Sequence, residues 1–575
     1  MATQHFVCAN WSADNTGCKK FGKYTCKGCH LVVYCGSDCQ KSHWALHKLD
    51  CKSPLGKETW RPRWALENRD PIFIANKNSW AQTFSGNKCL WGNVPAIDVL
   101  QLESNEGVDY AKHLNLLFAA SGDLRNVVKT IAQVPTSYTK PIEITINDND
   151  LDVVARNAII LLIALVADGI DDAVDCIIHV WYSALIRKSD LETLQNIPPF
   201  IKSVCDRFKD EDPDELIRQT WSLGKRSLTL VMPKSSWDRL LAYIKIPEGL
   251  TAERASRVRK AVTLDESRKD YLDKHLLFQS PSRRVAKHRF RQDGLLLPFG
   301  APRHEFQIPN PTIFRAADVW PMADDADPLQ GWSLKDVEDT SSGPATADIY
   351  GKLFYHIRAE LRAFLDRLSD MQVSFRLLCV DFKDQLGYFL ERDSFSRIEV
   401  SNMSDNCFTG IHYTVVLMAP FLQAPLTNPH ATLITLFRNA VREKTDMQDF
   451  LLNLFASDRK SKFIYEYLSL KEKPDSSRRW LGDPYMIKGT YAHSNAANYD
   501  KVFDRFMKVY WPSDLARLCN VATKEEHTVI EKWPFRMKLP YEHPGAMEEF
   551  DRLVDEVVWA KERFVEWRRT AATVY

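Results

Sequence analysis

The chain has 575 residues, with 76 Lys or Arg against 75 Asp or Glu and 45% hydrophobic residues. That length predicts about two to four domains with sizeable cores, and the balanced charge excludes a global field favouring nucleic acid or a membrane surface. The longest apolar run, residues 158–167, is too short to span a bilayer. The opening MATQHFVCANW has neither the basic start nor the apolar core of a signal peptide. The expectation is a reduced, cytoplasmic setting, with the nucleus as second compartment.

Seven of the 13 cysteines fall within residues 8–51, a stretch that closes on His47 and Cys51. Zinc takes four soft or borderline ligands in a tetrahedron, and thiolate and imidazole supply them. Eight candidates are present, enough for two Zn²⁺: Cys8, Cys18, Cys26, Cys29, Cys35, Cys39, His47 and Cys51. Cys26-Lys-Gly-Cys29 is a C-x2-C knuckle in which Gly28 permits the turn. Cys35 and Cys39 are four apart, as are His47 and Cys51, and on helical turns such pairs share one face. The stretch is too short to bury a core, so the metals must supply folding free energy of ~10 kcal/mol or more per site. His43, one turn before His47, is its rival. A disulfide scaffold would need an oxidising compartment. Cys89, Cys176, Cys205, Cys379, Cys407 and Cys519 are scattered, mostly in apolar runs, and read as reduced core residues.

The run Cys26-x2-Cys29-x5-Cys35-x3-Cys39-Gln40, followed by Trp44, His47 and Cys51, resembles the MYND zinc finger. Sites interleave in that family. The resemblance therefore implies Cys8, Cys18, Cys35 and Cys39 on one zinc, and Cys26, Cys29, His47 and Cys51 on the other. The first pair departs from the family's usual C-x2-C, since Cys8 and Cys18 are ten apart.

Beyond the finger, residues 113–120 form a short apolar run, as a buried parallel strand does. It breaks at Ser121-Gly122-Asp123 into helical spacing over 124–131. Residues 142–146 read as a second strand, ending in Asn147-Asp148-Asn149-Asp150, and 151–165 as a helix. Strand, glycine turn, helix, strand and terminal acid make the first half of a Rossmann-like unit. It resembles the nucleotide-binding start of class I S-adenosylmethionine-dependent methyltransferases, which implies Gly122, Asp148 and Asp381 as cofactor-binding candidates. The pattern resumes with strands at 373–381 (ending on Asp381), 395–402 and 431–437. The predicted fold class is thus α/β: a double-zinc finger (1–55), a Rossmann-like domain in two halves (56–169 and 371–440) split by a long helical insertion (170–370), and a mainly helical C-terminal region (441–575). Within the insertion, Ile349, Leu353, Ile357, Leu361, Leu365 and Leu368 form a core stripe. The basic run RRVAKHRFR at 283–291 reads as a solvated face, with a nuclear signal or phosphate-binding patch as alternative. Residues 322–346 read as a mobile acidic loop. Phe550, Leu553, Val554, Val557, Lys561, Phe564 and Trp567 sketch a C-terminal amphipathic helix.

The methyltransferase loop typically places an acid before G-x-G-x-G, where this chain has Phe118, Ala120, Gly122 and Leu124. Strand four is followed by Ser401-Asn402-Met403-Ser404, not Asn/Asp-Pro-Pro-aromatic, and no general base or nucleophile set stands out. The balance is against an enzyme, and no catalytic residue is assigned. The segments LWGNVPAIDVL, LNLLFAASGDLRNVVKTI and IEITINDNDLDVVARN resemble a domain that an axonemal dynein assembly factor shares with fungal MYND proteins. That resemblance implies an assembly or adaptor protein whose finger docks Pro-containing peptides. The alternative is an S-adenosylmethionine-dependent methyltransferase with a divergent loop. Nucleic acid is the weakest candidate partner, and a membrane partner is not expected.

Overall fold

The computed structural model describes residues 6–11, 17–75, 84–167, 169–445, 466–468, 482–555 and 561–570. A short hairpin, β1 (Tyr24–Thr25) and β2 (Val33–Tyr34), belongs to the cysteine-rich N-terminal region. The apolar runs expected as strands form β3 (Leu114–Phe118), β4 (Ile142–Asn147), β9 (Val373–Leu378), β10 (Arg397–Glu399) and β11 (Thr432–Phe437). Between β4 and β9 lie β5 (Leu185–Ile186), paired with β8 (Ile308–Pro309), and the hairpin β6 (Leu216–Leu223) and β7 (Arg226–Pro233). The chain closes with β12 (Val521–Thr523) and β13 (Arg563–Arg569).

Nine of these strands make one sheet in the order β12-β13-β11-β10-β3-β4-β9-β7-β6. The six from β11 to β7 are parallel, while β13 and β6 run antiparallel to their inner neighbours. Chain order reverses between β3 and β10. Parallel strands need crossovers that cover both faces, which is why β11 is buried at all six positions. The crossover helix Leu151–Val166, begun by the Asp150 carboxylate accepting Asp152 N, is buried almost all round. The stripe that starts at Ile349 lies on the helix Ile349–Asp370, with its six named residues buried. Among the described residues no helix is long and apolar enough to cross a membrane.

Four expectations need correction. The segment 170–370 is not helical alone, because β6 and β7 extend the sheet; a two-residue turn at Gly224 (φ +64°) and Lys225 joins them. In the C-terminal region helices outweigh strands among the described residues, but its expected stripe is not one helix. Its stripe divides into the helix Ala546–Asp555 and β13, where Phe564 and Trp567 pair with β11; Val557 lies outside the described residues. Residues 322–346 are packed rather than mobile, with Asp324, Asp327, Trp332, Leu334 and Val337 buried. Cys89 and Cys407 are exposed, whereas Cys176 and Cys379 are buried as expected.

The basic run also departs from a solvated face. It forms the helix Pro281–Asp293, which buries Arg284 and Arg291. Arg284 donates to Leu55 O and Lys57 O at 2.8 Å each, Arg289 pairs with Asp50 at 3.1 Å, and Arg283 pairs with Glu338 and Asp555. A buried guanidinium has five N–H donors to satisfy, so carbonyls and carboxylates gather around it.

Among the described residues the most deeply buried ion pair joins β10 to the loop before β3. Arg397 holds Glu106 bidentately at 2.7 and 2.8 Å with both side chains fully buried, and it also donates to Val99 O, Leu100 O and His430 O. Removing one partner strands a buried charge, a loss of about 3–5 kcal/mol. Glu106→Ala is therefore expected to lower the unfolding midpoint strongly in a denaturant titration. Asp339→Asn, which breaks the exposed Lys335–Asp339 pair, should leave it within ~0.5 kcal/mol of wild type.

Candidate metal centre and the sheet edge

The finger is a hairpin followed by a helix. Between β1 and β2 the knuckle turns at Gly28, where an added Cβ would stand 3.1 Å from Cys51 Sγ. The helix Ser37–Cys51 then presents Cys39, His47 and Cys51. Two clusters result, Cys8 with Cys18, Cys35 and Cys39, and Cys26 with Cys29, His47 and Cys51; in each, the four ligand atoms lie within 4.8 Å of one another. Within the first, Sγ separations are 3.6 Å for Cys18–Cys35 and 3.4 Å for Cys35–Cys39. Within the second, Cys26–Cys51 is 3.8 Å and Cys29 Sγ to His47 Nε2 is 3.5 Å. A tetrahedral zinc with Zn–S of about 2.3 Å spaces its sulfurs at about 3.8 Å, so both donor sets fit Zn²⁺.

The electrostatics fit as well. Burial pushes the Cys8, Cys29 and Cys51 thiols up, and hydrogen bonding to Cys39 raises Cys35 to about 12. Thiols so placed need a cation to become thiolates. Burial also drops His47 to about 4, which keeps its imidazole neutral as a ligand must be. His43, the rival, stands outside both clusters: its Nδ1 is 2.9 Å from Tyr34 Oη and its ring stacks on His47.

The finger is fastened to the body. Leu31, Val32 and Tyr34 belong to the same buried cluster as the main helices. Trp11 Nε1 donates to Gly300 O at 3.0 Å, Ser282 Oγ to Cys29 O at 2.9 Å, and Ala347 N to His30 O at 3.2 Å. The outward side remains open: Tyr24 is 63% exposed, Trp44 37%, Leu46 65% and Leu49 72%.

At the carboxyl ends of the central strands β3 and β4 the structure brings together two of the three cofactor candidates. Gly122 adopts φ +57°, and its N–H donates to Asp148 Oδ2 at 3.0 Å; Asp148 Oδ1 accepts Asp150 N. Asp381 stands apart at the end of β9, where Oδ1 accepts Lys383 N and Asp384 N of its own turn. The segment from Lys88 to Val94 is strapped across these strand ends, which sequence reasoning did not foresee. Lys88 bonds Asp150 and Asp152, Gly92 N donates to Asp123 Oδ2 at 2.7 Å, and Arg125, paired with Asp123, donates to Val94 O. A Cβ on Gly92 would fall 1.8 Å from Arg125 Nη1. The spacing of Asp123 and Arg125 beside the glycine turn was the available signal.

Residues 14–51 match the MYND finger family, and residues 90–186 match a domain of unknown function, DUF4470. The chain is similar to dynein axonemal assembly factor 3 of Danio rerio, 30% identical over 122 residues that cover 20% of this chain and 25% of that protein. For the Xenopus laevis protein of the same name the identity is 26% over 165 residues, with 24% and 34% coverage; for the Rattus norvegicus protein it is 23% over 181 residues, with 27% and 31% coverage. The chain thus spans a quarter to a third of the length of these relatives. No solved structure matches it. The chain therefore carries a MYND finger and a DUF4470 domain, with weak homology to dynein axonemal assembly factor 3 proteins.

Proposed function

We propose that this protein is a zinc-stabilised interaction and assembly protein. Its finger (1–55) docks peptides of a protein partner, Pro-containing segments among them, and its methyltransferase-like body serves as scaffold. The observation that carries this reading is the finger's mounting. One side is merged with the main core, while Tyr24, Trp44, Leu46 and Leu49 are presented outward on a rigid base. Aromatic residues are enriched in protein interfaces, and the exposed Tyr24 and Trp44 are of that kind. The name of the relatives, assembly factors, points the same way.

The order β9-β4-β3-β10-β11 supports a Rossmann-like reading of the body, since it runs as strands three, two, one, four and five of that doubly wound arrangement. The domain would then comprise 56–169 and 371–440, with 170–370 inserted and 441–575 completing the far edge. Two features weigh against S-adenosylmethionine at its crevice. The Gly122 amide already has the Asp148 carboxylate as acceptor, and Asp123 is engaged by Gly92 and Arg125. The eight donors of the finger would hold two Zn²⁺ in a structural role, ordering the tip on which the exposed groups sit.

Three outcomes are expected. Metal analysis of the purified chain gives two zincs; His43→Ala keeps both, while His47→Ala or Cys29→Ala loses one and exposes the tip to proteolysis. Trp44→Ala, with zinc content unchanged, weakens capture of Pro-containing peptides by about tenfold in fluorescence anisotropy, the scale of a truncated aromatic anchor. Calorimetry of the zinc-loaded chain with S-adenosylmethionine shows no saturable heat; micromolar binding would instead favour the methyltransferase reading.

A further inference from the structure

The two ends of the nine-stranded sheet are finished differently. At one end β12 has three residues; at the other β6 has eight. A strand at an edge presents a row of unpaired peptide groups, and a long one is a template for a further strand. On the inner side of the hairpin, the carbonyls of Val231 and Lys225 turn toward β9, accepting Cys379 N at 2.9 Å and Val373 N at 3.3 Å. The even-numbered residues of β7 therefore bond β6, where they stand opposite Ile217, Gln219, Trp221 and Leu223. That leaves the N–H and C=O groups of Leu216, Arg218, Thr220 and Ser222 directed away from the sheet. Of these, only Thr220 O has a partner among the described residues, the Gln219 side-chain amide at 2.7 Å.

The flanks of β6 say which strand suits this edge. Just before it the chain reads Asp210-Glu-Asp-Pro-Asp-Glu215, exposed throughout; just after it come the exposed Lys225 and the half-buried Arg226. Asp214, Glu215, Lys225 and Arg226 form no ion pair among the described residues. The strand thus has an acidic entry and a basic exit, so two copies attract when antiparallel and repel when parallel. Only even-numbered residues face outward, which restricts the register. With Thr220 opposite the partner's Thr220, Arg218 meets the partner's Ser222. Ile217 then stands beside the partner's Leu223, Glu215 beside the partner's Lys225 and Asp214 beside the partner's Arg226. Threonine pairs, apolar pairs and opposite charges are the favourable cross-strand kinds, and no like charges stand opposite. Behind the strand, Trp221 is seated between Phe200 and Trp237, with ring centroids 6.4 and 6.0 Å away, which holds the edge in place.

We propose that the outer edge of β6 is the docking site of a second copy of this chain, whose own β6 lies antiparallel in this register, so that the sheet continues across a twofold axis.

The test is sedimentation equilibrium of the zinc-loaded full chain at low ionic strength, where exposed charges are least screened. A reversible dimer is expected. Glu215→Lys and Lys225→Glu each weaken it by about tenfold, because each sets like charges together on both sides of the axis. The two substitutions combined restore it. Within one chain these residues lie about 30 Å apart along the strand, so the rescue reports a contact between copies. Thr220→Pro removes an outward N–H and none of the bonds to β7, and gives a monomer with unchanged circular dichroism; the charge reversals decide the matter should that variant melt. A wild-type chain that stays monomeric overturns the proposal, and the edge is then open to an extended segment of another protein. A dimer indifferent to both charge reversals overturns it as well, since it is built on another face.

Discussion

The eight donors of the N-terminal tip gather in two sets of four, and on the proposed reading two Zn²⁺ held there give the tip its shape. The tip offers little to bury, and its hairpin strands are two residues each. Structural zinc in small fingers contributes ~10–16 kcal/mol of binding free energy that doubles as folding free energy. On that reading the energy reaches further than the finger. Leu31, Val32 and Tyr34 are buried with the main helices, and Trp11 and Cys29 lend their polar groups to loops of the body. Order at the metal clusters and order at this junction are therefore linked. A finger fixed in this way presents its outward groups at a defined angle, which a finger on a free linker does not.

The helix Pro281–Asp293 is the mechanical counterpart of the ions. Its sequence, rich in arginine, has the composition of a phosphate or nuclear-signal patch, and the chain's other charges give no reason to expect its burial. Three-dimensional placement decides otherwise. Arg284 faces the chain just beyond the finger, Arg289 faces Asp50 at the end of the finger helix, and Arg283 faces Glu338 and Asp555. Each cation has found its own acceptor from a different part of the chain. What looks in one dimension like a patch of positive field is, in the fold, a set of separate ties whose charges largely cancel locally. Such ties contribute modest stability but fix register, because each fork accepts only one geometry.

How much of this could be read in advance follows from how local each signal is. Metal-ligand spacing is local chemistry, and the two clusters pair as the interleaved MYND pattern implies. The five long apolar runs are strands because parallel strands buried on both faces need continuous apolar sequence, which is visible in Leu114–Phe118 and Thr432–Phe437. The hairpin β6–β7 was hidden because Leu216–Leu223 alternates weakly and sits among helices; only Gly224–Lys225 signalled its turn. Phe564 and Trp567 fit a helical stripe by spacing alone, and it took the open antiparallel edge of β11 to claim them as strand. That claim depends on a partner well over a hundred residues away, so no window of sequence contains it. Cys89 and Cys407 show the same limit from the other side: an apolar neighbourhood in sequence does not guarantee burial.

The glycine turn after β3 shows why a retained motif need not mean a retained ligand. Gly122 has φ +57°, a conformation that a side-chain-bearing residue adopts only at a cost of about 1–2 kcal/mol, so the turn itself demands glycine. Asp148 accepts the Gly122 amide and Asp150 N, which gives it a structural role as well. Both residues thus serve the backbone at the strand ends. Gly92 completes the argument: it is pressed against Arg125 so closely that no Cβ fits, and the strap it belongs to lies where the order of the strands reverses and ligands of such sheets usually enter. Fold alone does not assign an activity, and here the neighbours of the cofactor candidates, Asp123, Arg125, Asp150 and Asp152, bind the strap.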